Sequence, residues 1–221
     1  MKVSVIGTGR MGKGIITTVA PIVDELLWAS RNEDRVHALI EENKFTDIVP
    51  VSYEEALQAD IIIPALLFRD LIPWAKENSE KLEGKILVDI TNPFTEDFTD
   101  FTLKWGQSAA EELQKVVPEA NIVGAFKNTY FQVFYKPIYD GVKSDVYITS
   151  DHPYAKEIVM NLLKPSPFRI LDGGMLKNNR IIERFTLFER EMAIRYGNYP
   201  YISNRLFGLK APAEKPTLEQ Q

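Results

Sequence analysis

The opening stretch MKVSVIGTGRMGKGIITTVA constrains this chain more than any other feature. Val3 to Ile6 is a short β-branched apolar run, as expected of a strand covered on both faces. Gly7, Gly9, Gly12 and Gly14 follow within eight positions, four of the chain's twelve glycines. In a dinucleotide fold each of the first three has a physical task. Gly7 permits the tight turn out of the strand, Gly9 lets a diphosphate approach the backbone, and Gly12 lets the next helix lie close to the strand. That helix then points free N–H groups and its positive dipole end at the diphosphate. A lone GxGxxG is weak evidence, but this one lies between a strand and a helix and precedes a second strand. Gly7, Thr8, Gly9, Arg10, Met11 and Gly12 are therefore the expected cradle.

The rest of the chain repeats the same alternation. Strand-like runs occur at Val3–Ile6, Leu26–Ser30, Ile48–Val51, Ile61–Ala65, Ile86–Asp89, Ile122–Phe126, Val146–Thr149 and Phe168–Leu171. Helix-period stripes lie between them. Ala155, Ile158, Val159, Leu162 and Leu163 share one face, with Asp151 as the expected cap. Ala109, Ala110, Leu113, Val116 and Val117 share another. A last helix is expected from near Met175, burying Ile181, Phe185, Phe188 and Met192. This alternation predicts an α/β, Rossmann-type, doubly wound and mostly parallel sheet with a small C-terminal helical extension. The expected division is a dinucleotide-binding domain at 1–150, a C-terminal portion packed on it at 151–207, and a flexible tail at 208–221. The stretch from Asn92 to Gln107 breaks the pattern and carries Phe94, Phe98, Phe101 and Trp105. It reads either as a lid or as a surface loop whose aromatics pack on the core.

Composition narrows the function. The 221 residues carry a net charge of -5, from 26 Lys plus Arg against 31 Asp plus Glu. That sign argues against a nucleic-acid partner. No cysteine is present, which excludes disulfides and thiolate chemistry, and two histidines are too few for a histidine metal cluster. The apolar runs are too short to span a bilayer, and no leader-like segment opens the chain, so a cytoplasmic protein without a membrane partner is expected.

The end of the second strand bears on cofactor choice. An NAD site places Asp or Glu there to hold the ribose hydroxyls. Here the sequence is WASRNEDR, with Ser30 at the acidic position, Arg31 next, and Arg35 one helical turn later. Hydroxyl and guanidinium donors suit a 2′-phosphate, each charge-assisted contact contributing about 1.5–3 kcal/mol. Thr8 adds a hydroxyl from the loop. The pattern predicts NADP, although Arg31 and Arg35 can also be read as surface partners of Glu33 and Asp34.

At this point the sequence resembles the family of NADP oxidoreductases dependent on the deazaflavin coenzyme F-420, including their bacterial relatives. The resemblance rests on GTGRMGKG at 7–14, ASRNEDR at 29–35, VDITNP at 88–93, QSAAEELQKVVPEANIVGAFKNTYF at 107–131 and DGGMLKNNRIIE at 172–183. It implies an N-terminal Rossmann domain with a small C-terminal part, and NADPH laid across the glycine loop with its 2′-phosphate on Thr8, Ser30, Arg31 and Arg35. It further implies that Pro64, Ala65, Leu66 and Asn92 lie along the cofactor. Ala125 to Tyr130, including Phe126, would border the nicotinamide. The chain departs from the archaeal members in its aromatic close, with Tyr196, Tyr199, Tyr201 and Phe207, and in the run AFKNTY.

The catalytic residues are less legible. Hydride transfer to a carbonyl needs a positioned proton donor. His37 and His152 read as structural, which leaves Lys127 and Tyr130 as weak candidates. A deazaflavin or flavin accepts hydride without an obligatory enzymic acid. Three readings therefore stay open: transfer between NADPH and a planar redox acceptor, reduction of a small carbonyl or imine, and a non-catalytic NADPH-binding module. The expected partner is a small-molecule or flavin-like acceptor. The aromatic stripe of the last helix makes a homodimer plausible.

Overall fold

A computed structural model describes residues 1–210. Most of the expected tail, from 211 onward, lies outside the described residues. The chain runs β1 (Val3–Ile6), α1 (Arg10–Val19), β2 (Leu26–Ala29), α2 (Glu33–Asn43), β3 (Ile48–Pro50), α3 (Tyr53–Ala56), β4 (Ile61–Pro64), α4 (Phe68–Glu77) and β5 (Ile86–Asp89). It continues through α5 (Ala109–Val116), β6 (Asn121–Gly124), the hairpin β7 (Ile138–Tyr139) and β8 (Val142–Lys143), β9 (Asp145–Thr149), α6 (Pro153–Leu163), β10 (Arg169–Gly174) and α7 (Asn179–Arg195).

Eight strands form one sheet in the order β10-β9-β6-β5-β4-β1-β2-β3. From β3 to β6 every pairing is parallel, and the order reverses beside β1, where β4 takes the flank opposite β2. Such a reversal opens a crevice beyond the strands' carboxyl ends. The apolar runs form central strands because helices cover both faces. Val5, Trp28 and Ile63 pack under one layer, and Ile6, Leu27 and Ile62 under the other. β9 joins β6 antiparallel through Gly124 and Thr149, and β10 pairs parallel with β9. A Cβ on Gly124 would lie 2.5 Å from Thr149 Oγ1, so this junction requires glycine. The expected boundary near 150 falls between two strands of one sheet.

Two local expectations need correction. Asp151 does not cap α6. His152 is its N-cap residue, and Asp151 Oδ1 accepts from the Leu176 amide at 3.0 Å. More consequentially, α7 is turned the other way. Its inward face carries Asn179, Glu183, Thr186, Glu189 and Ala193. Ile181, Phe185 and Phe188 are 74%, 42% and 56% exposed, and Met192 is only partly buried. The surface beneath α7 is polar, presenting Lys127, Thr149 and Asn204 as partners, so the polar stripe turns inward to meet them.

Candidate active site

The glycine loop forms one wall of the crevice. The Gly7 amide donates to the Ala29 carbonyl at 2.8 Å, and Ala65 donates to Ile6 at 2.8 Å, so the ends of β1, β2 and β4 are tied together. Gly7 has φ +119°, and a Cβ there would lie 2.6 Å from the Ala65 carbonyl oxygen. A Cβ on Gly12 would stand 2.3 Å from the Gly7 oxygen, whereas one on Gly9 would meet nothing within 4 Å. The open space is where the diphosphate is expected. Gly9 is the N-cap of α1, with no capping side chain and no acidic residue in the first turn. The first amides of α1 are thus left to an anion, as a dinucleotide requires.

Beyond the end of β2, the Ser30 hydroxyl donates to the Asn32 carbonyl at 2.6 Å and accepts from the Asn32 amide. Arg31 is exposed and takes part in none of the ion pairs among the described residues. Arg35 pairs with Glu42 at 3.3 Å, and not with Glu33 or Asp34. Two exposed guanidinium groups therefore stand next to the loop, joined to it through the Gly7–Ala29 bond.

Past the loop lies a cavity of about 380 Å³. It brings together Gly9, Arg10, Met11, Ala65, Leu66, Asn92 and Tyr130, as the sequence led one to expect. Aromatic rings dominate its lining, with Phe94 and Phe98 from the irregular loop, Tyr130 and Phe131 after β6, and Tyr199 after α7. The aromatics of the loop at 92–107 divide between the cavity, the loop itself and the outer surface. Phe94 and Phe98 face the cavity, Phe101 packs against Phe94 at 5.1 Å, and Trp105 is outside with the Arg184 guanidinium over its ring at 4.4 Å. Asn92 is held by donating to the Lys127 carbonyl at 2.7 Å, and its Oδ1 is buried without a partner. That orphaned acceptor fits the carboxamide of a nicotinamide, and with the bare cradle it makes the crevice suited to NADP.

Two expected residues are elsewhere. Phe126 does not border the cavity. Its backbone is left-handed (φ 52°), and its ring is 1% exposed against Phe134 and Phe168, at 5.3 and 5.6 Å. Lys127 is buried, its ammonium bonded to Asp89 at 2.5 Å, Glu183 at 3.0 Å and the Thr91 carbonyl. Burial pulls its pKa down, but the two carboxylates more than reverse this, so it is held above its ordinary value. Burial pushes Glu183 up, and Lys127 opposes that push. Lys127 is a structural tie joining β5, α5 and α7, since Glu183 also accepts from the Ala109 amide at 2.9 Å. It is not a proton donor to the cavity. Tyr130 does line the cavity, yet its hydroxyl donates to the Thr186 carbonyl, and burial raises its pKa well above the ordinary phenol value. His37 is exposed on α2, and the His152 ring bonds Gln114 at 2.9 Å.

The residues that sequence reasoning missed are Phe131, Thr186 and Arg190. Phe131 lies under the Arg10 guanidinium at 4.3 Å. Thr186 and Arg190 belong to the inward stripe of α7, with Thr186 also donating to the Lys127 carbonyl at 2.9 Å. The signal was present, because positions 179, 183, 186, 190 and 193 recur at helical spacing and four of them are polar.

Comparisons with known proteins agree with this geometry. Residues 2–93 match the family described as NADP oxidoreductase coenzyme F420-dependent. An F420-dependent NADP reductase of Methanocaldococcus jannaschii is 26% identical over 89% of this chain and 94% of its own length. The rat metalloreductase STEAP3 is 28% identical over 84% of this chain, which spans only 36% of that longer protein. Among solved structures, a candidate F420-dependent NADP reductase from Arthrobacter sp. FB24 superposes with a TM-score of 0.78 at 22% identity, covering 89% of this chain and 95% of the other. The glycine cradle, the doubly wound sheet and these likenesses identify the chain as an NADP-dependent oxidoreductase, similar over residues 2–93 to the coenzyme F420-dependent NADP oxidoreductases.

Proposed function

We propose that the chain transfers hydride between NADP(H) and a planar redox acceptor, a deazaflavin or a flavin, bound in the aromatic cavity beside the glycine loop. The observation that carries this reading is the lining of that cavity. It has five aromatic rings and two arginines, and no histidine, lysine, aspartate or glutamate among the described residues. A carbonyl or imine acceptor needs a proton donor placed against it, and the Tyr130 hydroxyl is already engaged with Thr186. A planar acceptor asks only for a face-to-face arrangement with the nicotinamide, from which water is largely excluded.

In this reading NADPH supplies the hydride. Thr8, Arg31 and Arg35 hold the 2′-phosphate, while Ser30, expected to join them, has its hydroxyl spent on Asn32 and shapes the turn after β2. The amides opening α1 hold the diphosphate, and Asn92 accepts from the carboxamide. Arg10, resting on Phe131, stands where the cradle meets the cavity. The name of the archaeal relative supports a deazaflavin as acceptor. The exposed apolar face of α7 supports a homodimer in which two such helices meet.

The test is NADPH oxidation followed with a deazaflavin, with FMN, and with a panel of small aldehydes, ketones and cyclic imines. Turnover with a planar acceptor alone is expected. Turnover confined to carbonyls or imines, or tight NADPH binding with no oxidation by any acceptor, would overturn the reading.

A further inference from the structure

We propose that a second pocket, at the outer end of the sheet, binds a phosphorylated small molecule. The pocket is an open cavity of about 490 Å³ walled by the β7–β8 hairpin, the start of β10 and the segment after α7. None of its lining residues belongs to the dinucleotide crevice. Four cationic side chains border it, Lys143, Lys164, Arg169 and Arg205. The acid beside them is Asp145, whose carboxylate is fully buried and already committed. It accepts from Arg169 Nε and Nη2 at 2.6 Å each and from the Leu206 amide at 2.8 Å, while Arg205 Nη1 stands 3.8 Å away. One carboxylate against four cations leaves an excess of three positive charges, in a chain whose net charge is -5.

Such an excess on a concave surface raises the local potential and is relieved by an anion. The two guanidinium groups are also held in place before any ligand arrives. Arg169 Nη2 donates to the Leu206 carbonyl at 2.6 Å, and Arg205 Nη1 donates to the Lys143 carbonyl at 2.9 Å. Arg205 Nε is buried and has no partner. Lys143 and Lys164 are exposed and complete the rim. The forked edge of Arg169 is spent on Asp145, so what the two guanidinium groups offer is their remaining N–H donors and fixed charge, which with the flanking ammonium groups suit the several oxygens of a phosphate. The Phe207 ring, 79% exposed at the same rim, offers a face on which an aromatic base can stack, so a nucleotide satisfies both features.

The experiment is calorimetric titration of the intact chain with inorganic pyrophosphate and with ADP, in the presence of NADPH, comparing wild type with the double variant Lys143→Gln/Lys164→Gln. Both lysines are exposed, so the variant is expected to fold, and neither touches the dinucleotide crevice. Binding should weaken about tenfold or more in the double variant, with NADPH affinity unchanged. ADP binding more tightly than pyrophosphate supports a nucleotide, and equal affinities support recognition of phosphate alone. Absence of pyrophosphate and ADP binding by wild type, or binding that the double variant leaves unaltered, would overturn the proposal. Because the double variant reports on this pocket alone, that result is separable from any failure of NADPH to bind the glycine loop.

Discussion

At the scale of single residues, charge and hydrogen-bond partners decide which side chains act on a ligand and which hold the fold. Arg31 and Lys127 make the contrast. Arg31 is exposed beside the loop. An Arg31→Asp variant should bind NADPH about ten- to a hundredfold more weakly while changing NADH far less, because only the former presents a 2′-phosphate to be repelled. Fluorescence titration with both cofactors checks this, and equal losses would contradict the phosphate assignment. Lys127 is sealed between two carboxylates. Replacing it with Met strands buried acids and should cost about 3–5 kcal/mol in urea unfolding. A stable Lys127→Met protein would show that the tie is dispensable. The glycine cradle could be read from the sequence because each glycine's task is local. The burial of Lys127 could not, because its partners Asp89 and Glu183 stand 38 and 56 residues away in the chain.

At the scale of elements, the Val- and Ile-rich runs marked the eight strands of the sheet because strands covered on both faces leave no other composition workable. The antiparallel entry of β9 was not legible, since pairing direction depends on how the chain travels between 125 and 145, and not on the strand's own residues. The orientation of α7 was misjudged for a related reason. Apolar periodicity says which residues share a face, but not whether the surface opposite is apolar or polar. The inward polar face has a measurable consequence at Glu189, whose pKa burial pushes up to about 7, against a hydrogen bond from Asn204 that lowers it. The folded protein then holds a proton that the unfolded chain has released above its ordinary value of 4.5. Stability should therefore fall as pH rises from about 4.5 to 7, by up to about 3 kcal/mol from this group. A Glu189→Gln variant should lose that part of the slope in urea melts across the window, and an unchanged slope would rule the carboxyl out as its source.

At the scale of the whole molecule, the sheet's reversal beside β1 sets the crevice, and α7 closes it from the far side with Thr186 and Arg190. The same helix carries Ile181, Phe185 and Phe188 outward, so a homodimer formed through it would brace the cavity wall. Phe185→Glu with Phe188→Glu should shift the sedimentation of the protein from dimer toward monomer. A wild type that sediments as a monomer at all concentrations would dismiss that surface. The central claim remains the passage of hydride from NADPH to a planar acceptor in the aromatic cavity, and isotope transfer tests it most directly. With NADPH deuterated at the transferring position of the nicotinamide, reduced deazaflavin or flavin should be formed with the deuterium retained at its acceptor carbon or washed out only from an exchangeable nitrogen, at a rate matching NADPH loss. No reduction of either acceptor while NADPH binds in its crevice would contradict the account.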